Sequence, residues 1–366
     1  MLPEYMRLFF LRKGLLSKGG GAAARLSVLL MAAAASGHSE GRDILIVTST
    51  NGPANNLVVF RLNTAPNPSL SMLSITPTGG AGGASGNAGG VQFAGNFGAV
   101  VNYGSNTVSG LVRDDDFIRV ARTVNLAPNC TMPVSVALSG NHAFVVGANC
   151  AETHSWPSGR VDGPVVPTGD ASAGQIVVGD TWAAVTLKSG SVLQLPLSRG
   201  GTLSGTSAKV NLPAGANDTP LGAAFWGNIL GFNPAHSPNS FALVNRDGAV
   251  FPVLGPQPAY PSNAPCWLAK GRGNIWYAGN SPGKAISIFF SDGQGGTFYK
   301  SVPLPGVPTD ISVSDDGAWL AAIFTAADGS GGRVAVFSVD AYGDLSPVAT
   351  SDAIGVSSFN GVAISR

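Results

Sequence analysis

Short apolar segments recur along the chain, separated by turns and loops rich in glycine, asparagine and serine. Each unit contains two apolar strands joined by a turn, then a loop, then a third strand with alternating apolar and polar residues. The first strands are predicted at residues 90–94, 133–138, 175–178, 221–226, 265–269, 309–313 and 361–364. Their centres lie about 41 to 51 residues apart, which is close to the spacing of blades in a β-propeller.

The remaining strands of each unit follow at regular positions. Second strands are predicted at residues 99–103, 143–147, 182–187, 228–232, 274–278 and 318–324. Third strands include residues 107–112, 191–197, 241–245, 285–290 and 334–339. The unit that begins at residue 133 continues into a less regular stretch, residues 152–167. Because no window shows a sustained helical period, the sequence predicts an all-β fold.

The two ends of the chain complete one unit between them. Residues 44–48 have the pattern of a second strand and residues 57–61 that of a third, whereas the matching first strand is at residues 361–365. Pairing these ends in one blade closes the ring and leaves no open sheet edge there. We therefore predict a seven-bladed β-propeller with four-stranded antiparallel blades, closed by the C-terminal strand. A β-sandwich with a separate second domain is the alternative.

The segment before residue 38 has the features of an export signal. Mostly apolar residues 26–35 are too few to span a bilayer, and residues 33–35 (AAA) form a small-residue cleavage pattern. The positive residues ahead of the cleavage pattern are Arg7, Arg12, Lys13, Lys18 and Arg25. We predict a leader at residues 1–37 and one propeller domain at residues 38–366, secreted or periplasmic, with no membrane span. A buried N-terminal helix is the alternative.

The composition agrees with a propeller. Charged residues make up 11% of the chain, against about 25% in ordinary soluble domains. Strands packed between neighbouring blades are buried on both faces, so polar residues are left to the outer strands and loops. Many of the 50 glycines lie in such loops, for example at residues 79–90. A net charge of +1 without a basic stripe argues against nucleic acid as a partner.

Several segments carry a resemblance to a known family. They are residues 100–109 (VVNYGSNTVS), 264–268 (APCWL), 274–280 (NIWYAGN), 308–317 (PTDISVSDDG), 334–340 (VAVFSVD) and 343–345 (GDL). These segments resemble the lactonase family of seven-bladed propellers, which includes bacterial 6-phosphogluconolactonases and fungal carboxymuconate-lactonising enzymes. The resemblance is clear in the units that begin at residues 90, 265 and 309 and faint in those that begin at residues 133, 175 and 221.

One feature of that family has no counterpart in this sequence. Enzymes of the family tend to open one blade with Pro-His-x-His, where this chain has residues 131–135 (TMPVS). We therefore expect an exported, monomeric, lactonase-like propeller that is a non-catalytic binding or scaffold protein. The alternative implied by the resemblance is a lactonase or cycloisomerase-like enzyme. The expected partner is a small carboxylated molecule or another exported protein.

Propellers usually bind ligands at the channel mouth, on loops that leave the second strands and enter the first. Charged and imidazole groups predicted there are Glu152, His154, Arg160, Lys188, Asp218, His236, Lys284 and Asp310. A carboxylate with an imidazole suits acid–base catalysis and an arginine can hold a carboxylate. Candidate catalytic residues are thus Glu152, His154, Arg160 and His236; candidate ligand-binding residues are Lys188, Asp310, Asn102 and Asn280. A solvated loop with ordinary polar residues is the alternative.

The cysteines predict a disulfide rather than a metal site. Cys130 and Cys150 lie opposite each other if their hairpin is symmetric about Gly140, and an exported protein meets an oxidising compartment. Cys266 is left over and is expected to be buried.

Residues 114–116 (DDD) lack the ligand pattern of a calcium loop, and residues 79–90 lack the Gly-Lys-Ser/Thr ending of a phosphate loop. We expect neither metal nor cofactor.

Overall fold

Seven antiparallel sheets form a closed ring, as predicted from the repeat; six have four strands and one has five. The computed structural model describes residues 43–64, 66–237, 240–254, 264–356 and 359–366, and every structural statement below concerns these residues. They form an all-β fold with one short 3₁₀ helix, Tyr103–Ser105. The predicted leader, residues 1–37, lies outside the described residues. No helix in the described ranges is long and apolar enough to cross a membrane.

The strands are numbered in chain order and grouped in blades, innermost strand first. Blade 1 contains β29 (Asn360–Ser365), β1 (Ile44–Ser49), β2 (Asn56–Asn63) and β3 (Ser69–Pro77). Blade 2 contains β4 (Val91–Ala94), β5 (Phe97–Asn102), β6 (Thr107–Asp114) and β7 (Phe117–Asn125). Blade 3 contains β8 (Ser135–Ser139), β9 (His142–Val146), β10 (Cys150–Ser155), β11 (Arg160–Val161) and β12 (Val166–Pro167).

The other four blades follow the same order. Blade 4 contains β13 (Ala173–Val178), β14 (Trp182–Leu187), β15 (Ser191–Pro196) and β16 (Ala208–Asn211). Blade 5 contains β17 (Pro220–Trp226), β18 (Ile229–Pro234), β19 (Ser240–Asn245) and β20 (Val250–Leu254). Blade 6 contains β21 (Pro265–Lys270), β22 (Ile275–Asn280), β23 (Ala285–Ser291) and β24 (Gly296–Pro303). Blade 7 contains β25 (Gly306–Val313), β26 (Trp319–Ala326), β27 (Gly332–Val339) and β28 (Leu345–Thr350).

The ring is closed where the chain ends meet. β29 pairs antiparallel with β1, with Val47 opposite Ala363. Two side chains add to the backbone ladder: the Thr48 hydroxyl donates to Gly361 O at 2.7 Å, and the Ser49 hydroxyl donates to Asn360 O at 2.8 Å. The innermost strand β29 also contacts the innermost strands on either side, β25 and β4. The predicted closure by the C-terminal strand is confirmed.

Hydrophobic clusters fill the spaces between neighbouring blades. Ile46 and Phe60 of blade 1 pack with Ile323 of blade 7 in one such cluster. Between blades 5 and 6, the Phe241 ring lies 5.4 Å from the Trp276 ring, and both side chains are fully buried. Since both faces of the inner strands are covered in this way, they carry few charges, which explains the unusual composition.

Blade 3 departs from the regular pattern at its outer edge. The stretch predicted as irregular contains a buried third strand, β10, and two short strands, β11 and β12, that both pair with it. Cys150 begins β10 and forms the predicted disulfide with Cys130, which lies in the loop before β8. Their Cα atoms are 5.4 Å apart and both residues are buried. The disulfide therefore ties the entrance of the blade to its third strand.

The closure predicts a strong effect of Gly361→Ala. Gly361 has φ +75°, and a Cβ atom there would collide with the backbone of Gly90 and Val91 in blade 2. Strain and overpacking together are expected to lower the free energy of unfolding by about 3 kcal/mol or more. Gly95→Ala is the matched control, because Gly95 has φ +57° and open space around it. It should cost about 1 kcal/mol. Equal losses in chemical denaturation would contradict this role of Gly361.

The disulfide predicts a second stability effect. Its two cysteines are separated by 20 residues, and closing a loop of that size lowers the entropy of the unfolded chain. Replacing both Cys130 and Cys150 by serine should lower the free energy of unfolding by about 3 kcal/mol. Urea unfolding measures the loss, with Cys266→Ser as the control for removing a thiol outside the disulfide. An unchanged midpoint in the double variant would contradict the prediction.

Candidate functional site

A cavity of about 410 Å³ lies in the central channel, lined by the innermost strands of blades 2 to 7. It extends from Gly89 and Gln175, near the face where these strands begin, to Lys270 and Asp315, where they end. We call these two faces the entry face and the turn face. Its polar lining residues are Gln92, Gln175, Lys270, Asp310, Ser312 and Asp315.

The loop between β3 and β4, residues 78–90, folds across the channel at the entry face. We call this loop the plug. Asn87 Nδ2 donates to Val134 O at 2.6 Å, and Ala88 N donates to Gly174 O at 3.2 Å. Trp267 Nε1 in turn donates to Asn87 O at 3.3 Å. The plug is thus bonded to blades 3, 4 and 6, so the mouth where the sequence predicted binding is covered by the chain itself.

Asp310 holds the plug from the opposite side of the channel. Its carboxylate accepts hydrogen bonds from the backbone N–H of Gly89 in the plug at 3.0 Å and of Ile311 at 2.9 Å. The N–H of Val362 in blade 1 is a further donor. Burial raises the pKa of Asp310 to about 7, although these three donors act in the opposite direction. Asp310 therefore links blades 7 and 1 to the plug and also borders the cavity.

Lys270 is a cationic residue that borders the cavity. It ends β21 at the turn face, and its ammonium donates to Gly271 O at 2.9 Å and Gly273 O at 2.5 Å. The ammonium also lies 5.3 Å from the ring centroids of both Trp226 and Trp276, a distance suited to a cation–π interaction. Burial lowers the pKa of Lys270 to about 8, so the side chain remains mostly cationic at neutral pH.

Two of the four predicted catalytic residues contact each other, but inside blade 3. Glu152 and His154 lie on β10, are fully buried and are joined by a 2.8 Å hydrogen bond between Oε1 and Nε2. Glu152 also accepts from Ala127 N at 3.2 and 3.1 Å, and His154 Nδ1 lies 3.0 Å from Gly159 O. Both side chains are therefore satisfied by the blade and do not line the channel cavity.

The other two predicted catalytic residues are exposed, unlike this buried pair. Arg160 is exposed on the short outer strand β11 of blade 3. His236 is exposed on a loop of blade 5, where its Nδ1 lies 3.4 Å from Asp218 and 3.1 Å from the Thr219 hydroxyl. The four groups therefore do not converge at one channel mouth. Glu152 and His154 are buried inside blade 3, whereas Arg160 and His236 are exposed on blades 3 and 5.

The predicted ligand-binding residues have mixed positions. Only Asp310 borders the cavity. Lys188 lies at the entry face and donates to Gly86 O of the plug at 3.0 Å. Asn102 is buried between blades 1 and 2, where its side-chain oxygen accepts from Asn55 at 3.0 Å. Asn280 is buried in blade 6 and donates to Ser287 at 2.7 Å.

The cysteine region holds a cluster with metal-ligating atoms. Single ligand atoms of Cys130, Cys150 and Glu152 lie within 4.8 Å of one another. The two sulfurs are joined in the disulfide, so they offer no thiolate to a metal ion. Cys266 is the free cysteine of the described residues, and burial raises its pKa to about 11. It is therefore a neutral thiol at physiological pH.

Sequence reasoning missed Lys270 and the plug. Lys270 follows the apolar run of residues 265–269 and directly precedes the turn of its blade. A charged residue at the end of an otherwise apolar innermost strand indicates a side chain near the channel. The predicted binding residues were instead chosen from loops at the entry face. The path of residues 78–90 depends on hydrogen bonds to distant blades, for which the glycine-rich sequence holds no local signal.

Comparison with known proteins gives fold relatives. No protein-family model and no curated protein match the chain. A crystal structure provisionally assigned as a 6-phosphogluconolactonase of Bacteroides uniformis matches with TM-score 0.64 and 16% identity, over 88% of this chain and 99% of that one. A Bacteroides fragilis protein of the same provisional assignment matches with TM-score 0.64 and 14% identity, over 90% and 99%. A streptogramin B lyase matches with TM-score 0.57 and 15% identity, over 75% and 86%.

These likenesses concern the architecture. Together with the seven closed blades, they support the predicted seven-bladed propeller fold. At such identities they show the fold alone, and fold does not determine chemistry. What the protein can bind or transform depends on the groups that line the cavity.

Asp310 predicts a pH dependence of stability. Its folded-state pKa of about 7 exceeds the value of about 3.9 in an unfolded chain. Between these values the folded protein retains a proton that the unfolded chain has released. Stability should therefore fall as pH rises from about 4 to about 7, by at most about 1.4 kcal/mol per pH unit. Asp310→Asn should remove this slope. Exposed Asp247→Asn is the control and should keep it; an unaltered slope in Asp310→Asn contradicts the assignment.

Proposed function

We propose that this chain is an exported, non-catalytic propeller that binds a small carboxylated molecule in its channel cavity. The observation that carries the proposal is the position of Lys270, a partly buried cation that lines the 410 Å³ cavity. Cavities of about 300–1,000 Å³ with a few convergent polar groups are typical of small-molecule sites. The ligand would approach from the turn face, because the plug covers the entry face.

Lys270 is suited to hold a carboxylate. An ammonium has three donors, and two of them go to the carbonyls of Gly271 and Gly273. These bonds and the two tryptophan rings fix the position of the cation, so little conformational entropy is lost when an anion binds. Ser312, Gln92 and Asp315 line the same cavity and supply partners for hydroxyl groups of the ligand.

The buried pair in blade 3 supports the non-catalytic part of the proposal. A general base must reach the proton that it removes, whereas Glu152 and His154 have no exposed surface and bond to each other and to backbone groups. Their arrangement suits a structural role in blade 3. The disulfide Cys130–Cys150 supports the export part, since disulfides persist in oxidising compartments.

A lactone-hydrolysing enzyme is the second candidate. It is favoured by the likeness to the two Bacteroides structures provisionally assigned as 6-phosphogluconolactonases, which covers 99% of each. In such an enzyme Asp310, with a pKa of about 7, would activate water as a general base. Lys270 would stabilise the negative charge that develops on the ring carbonyl.

A binding experiment tests the proposed site. Isothermal titration with gluconate, 6-phosphogluconate and muconate as probes should give saturable binding of at least one of them. Lys270→Met should weaken that binding at least tenfold, because the carboxylate loses its cationic partner. Lys188→Met is the matched control at the entry face and should bind as the unaltered protein does. Absence of binding to any probe, or equal losses in both variants, would overturn the proposal.

A hydrolysis assay separates the two candidates. The proposed binding protein should open gluconolactone and 6-phosphogluconolactone no faster than buffer at the same pH. Hydrolysis at least a hundredfold above buffer that is lost in Asp310→Asn would replace the binding function with the enzymatic one. The same rate enhancement retained in Asp310→Asn but lost in Glu152→Gln would instead point to blade 3.

A further inference from the structure

The outermost strand of blade 1 presents an open, uncharged edge. β3 has nine residues, Ser69–Pro77, pairs with β2 along one side, and has no strand partner on its other side among the described residues. Three of its apolar side chains are exposed: Met72 by 50%, Leu73 by 37% and Ile75 by 49%. A long apolar edge strand is a ready template for pairing with another strand.

The other blades carry features that block such pairing. Within their outer strands lie Arg119 and Arg122 in β7, Lys209 in β16, Pro252 in β20, Lys300 in β24 and Pro347 in β28. Blade 3 ends in two strands of two residues each. Charges, prolines and short strands are the usual means by which sheet edges avoid association. Among the described outer strands, β3 alone combines full length with an interior free of charge and proline.

A bulge does not distinguish β3 from these strands. The β2–β3 register shifts so that Leu73 has no opposite residue. Corresponding shifts leave Ala121 of β7, Tyr299 of β24 and Val348 of β28 unpaired. Since the bulge recurs in blades 2, 6 and 7, the distinctive property of β3 is its lack of charged or proline residues before Pro77.

The sequence of β3 indicates which partner fits this edge. Residues 70–75 (LSMLSI) show the order apolar, polar, apolar, apolar, polar, apolar, which reads the same in both directions. When two such strands run antiparallel, apolar residues meet apolar residues and serines meet serines, with no charges opposed. This is the self-complementarity that a two-fold symmetric contact requires.

We infer that two copies of this chain associate through antiparallel pairing of their β3 strands. The pairing consumes the open edge of each copy, so the assembly stops at a dimer. Pro68 and Pro77 flank the segment and limit the pairing to the residues between them. A net charge of +1 per chain adds little repulsion. The dimer differs from the monomer expected from the sequence and does not depend on the proposed channel ligand.

Sedimentation of the purified protein over about 1–200 μM tests the dimer. A single pair of strands buries less than the roughly 1,600 Å² of a standard interface, so a Kd in about the micromolar range is expected. Met72→Lys and Ile75→Lys should each raise this Kd at least tenfold, since they place a cation against an apolar edge. Phe117→Lys is the matched control, because Phe117 is an exposed apolar residue (76%) on the outer strand of blade 2.

Hydrogen exchange locates the contact independently of the variants. Raising the concentration across the dimerisation range should slow the exchange of amides in residues 69–76 at least threefold and leave those of β7 unchanged. A protein that stays monomeric up to about 200 μM overturns the inference. So does a dimer that Phe117→Lys weakens as much as Met72→Lys, or one without slower exchange in β3. Circular dichroism of each variant confirms that it is folded.

Discussion

The pairing of β29 with β1 is the interaction on which the rest of the structure depends. Each blade buries its faces only against its two neighbours, so a ring with one open junction would expose two apolar faces to water. The junction joins residues that are 313 positions apart in the chain, as in the hydrogen bond from Thr48 to Gly361. Gly361 itself permits the close approach of blade 2 at this point. The local sequence pattern therefore determines where each blade forms, and the long-range pairing of β29 with β1 closes the blades into a ring.

Closing the ring creates a channel, and several buried polar side chains organise the loops and blades around it. The plug covers one end, and Asp310 holds the plug while joining blade 7 to blade 1. Glu152 and His154 stabilise the interior of blade 3, and Asn102 bonds blade 2 to blade 1. In a chain with so little charge, a buried polar group is more often part of the framework than of a reactive site.

The fold could be predicted from the sequence because its signals are local and repeated. Apolar segments that recur along the chain predicted each innermost strand. The incomplete units at the two chain ends predicted the pairing that β1 and β29 make. The disulfide followed from the symmetry of one hairpin. The candidate site could not be predicted in the same way. Whether Glu152 points into a blade or toward the channel depends on strand parity in blade 3, where the pattern is least regular.

The position of the cavity also required the three-dimensional path of the chain. Blocking the entry face with residues 78–90 leaves the turn face as the approach to the channel, and Lys270 stands there because β21 ends at that face. The proposed site thus lies opposite the loops at which the sequence predicted binding. A likeness at 14–16% identity indicates the propeller fold but not which residues line the channel opening. The proposed channel site therefore depends on two ionisable residues that border the same cavity, the buried Asp310 and the partly buried Lys270.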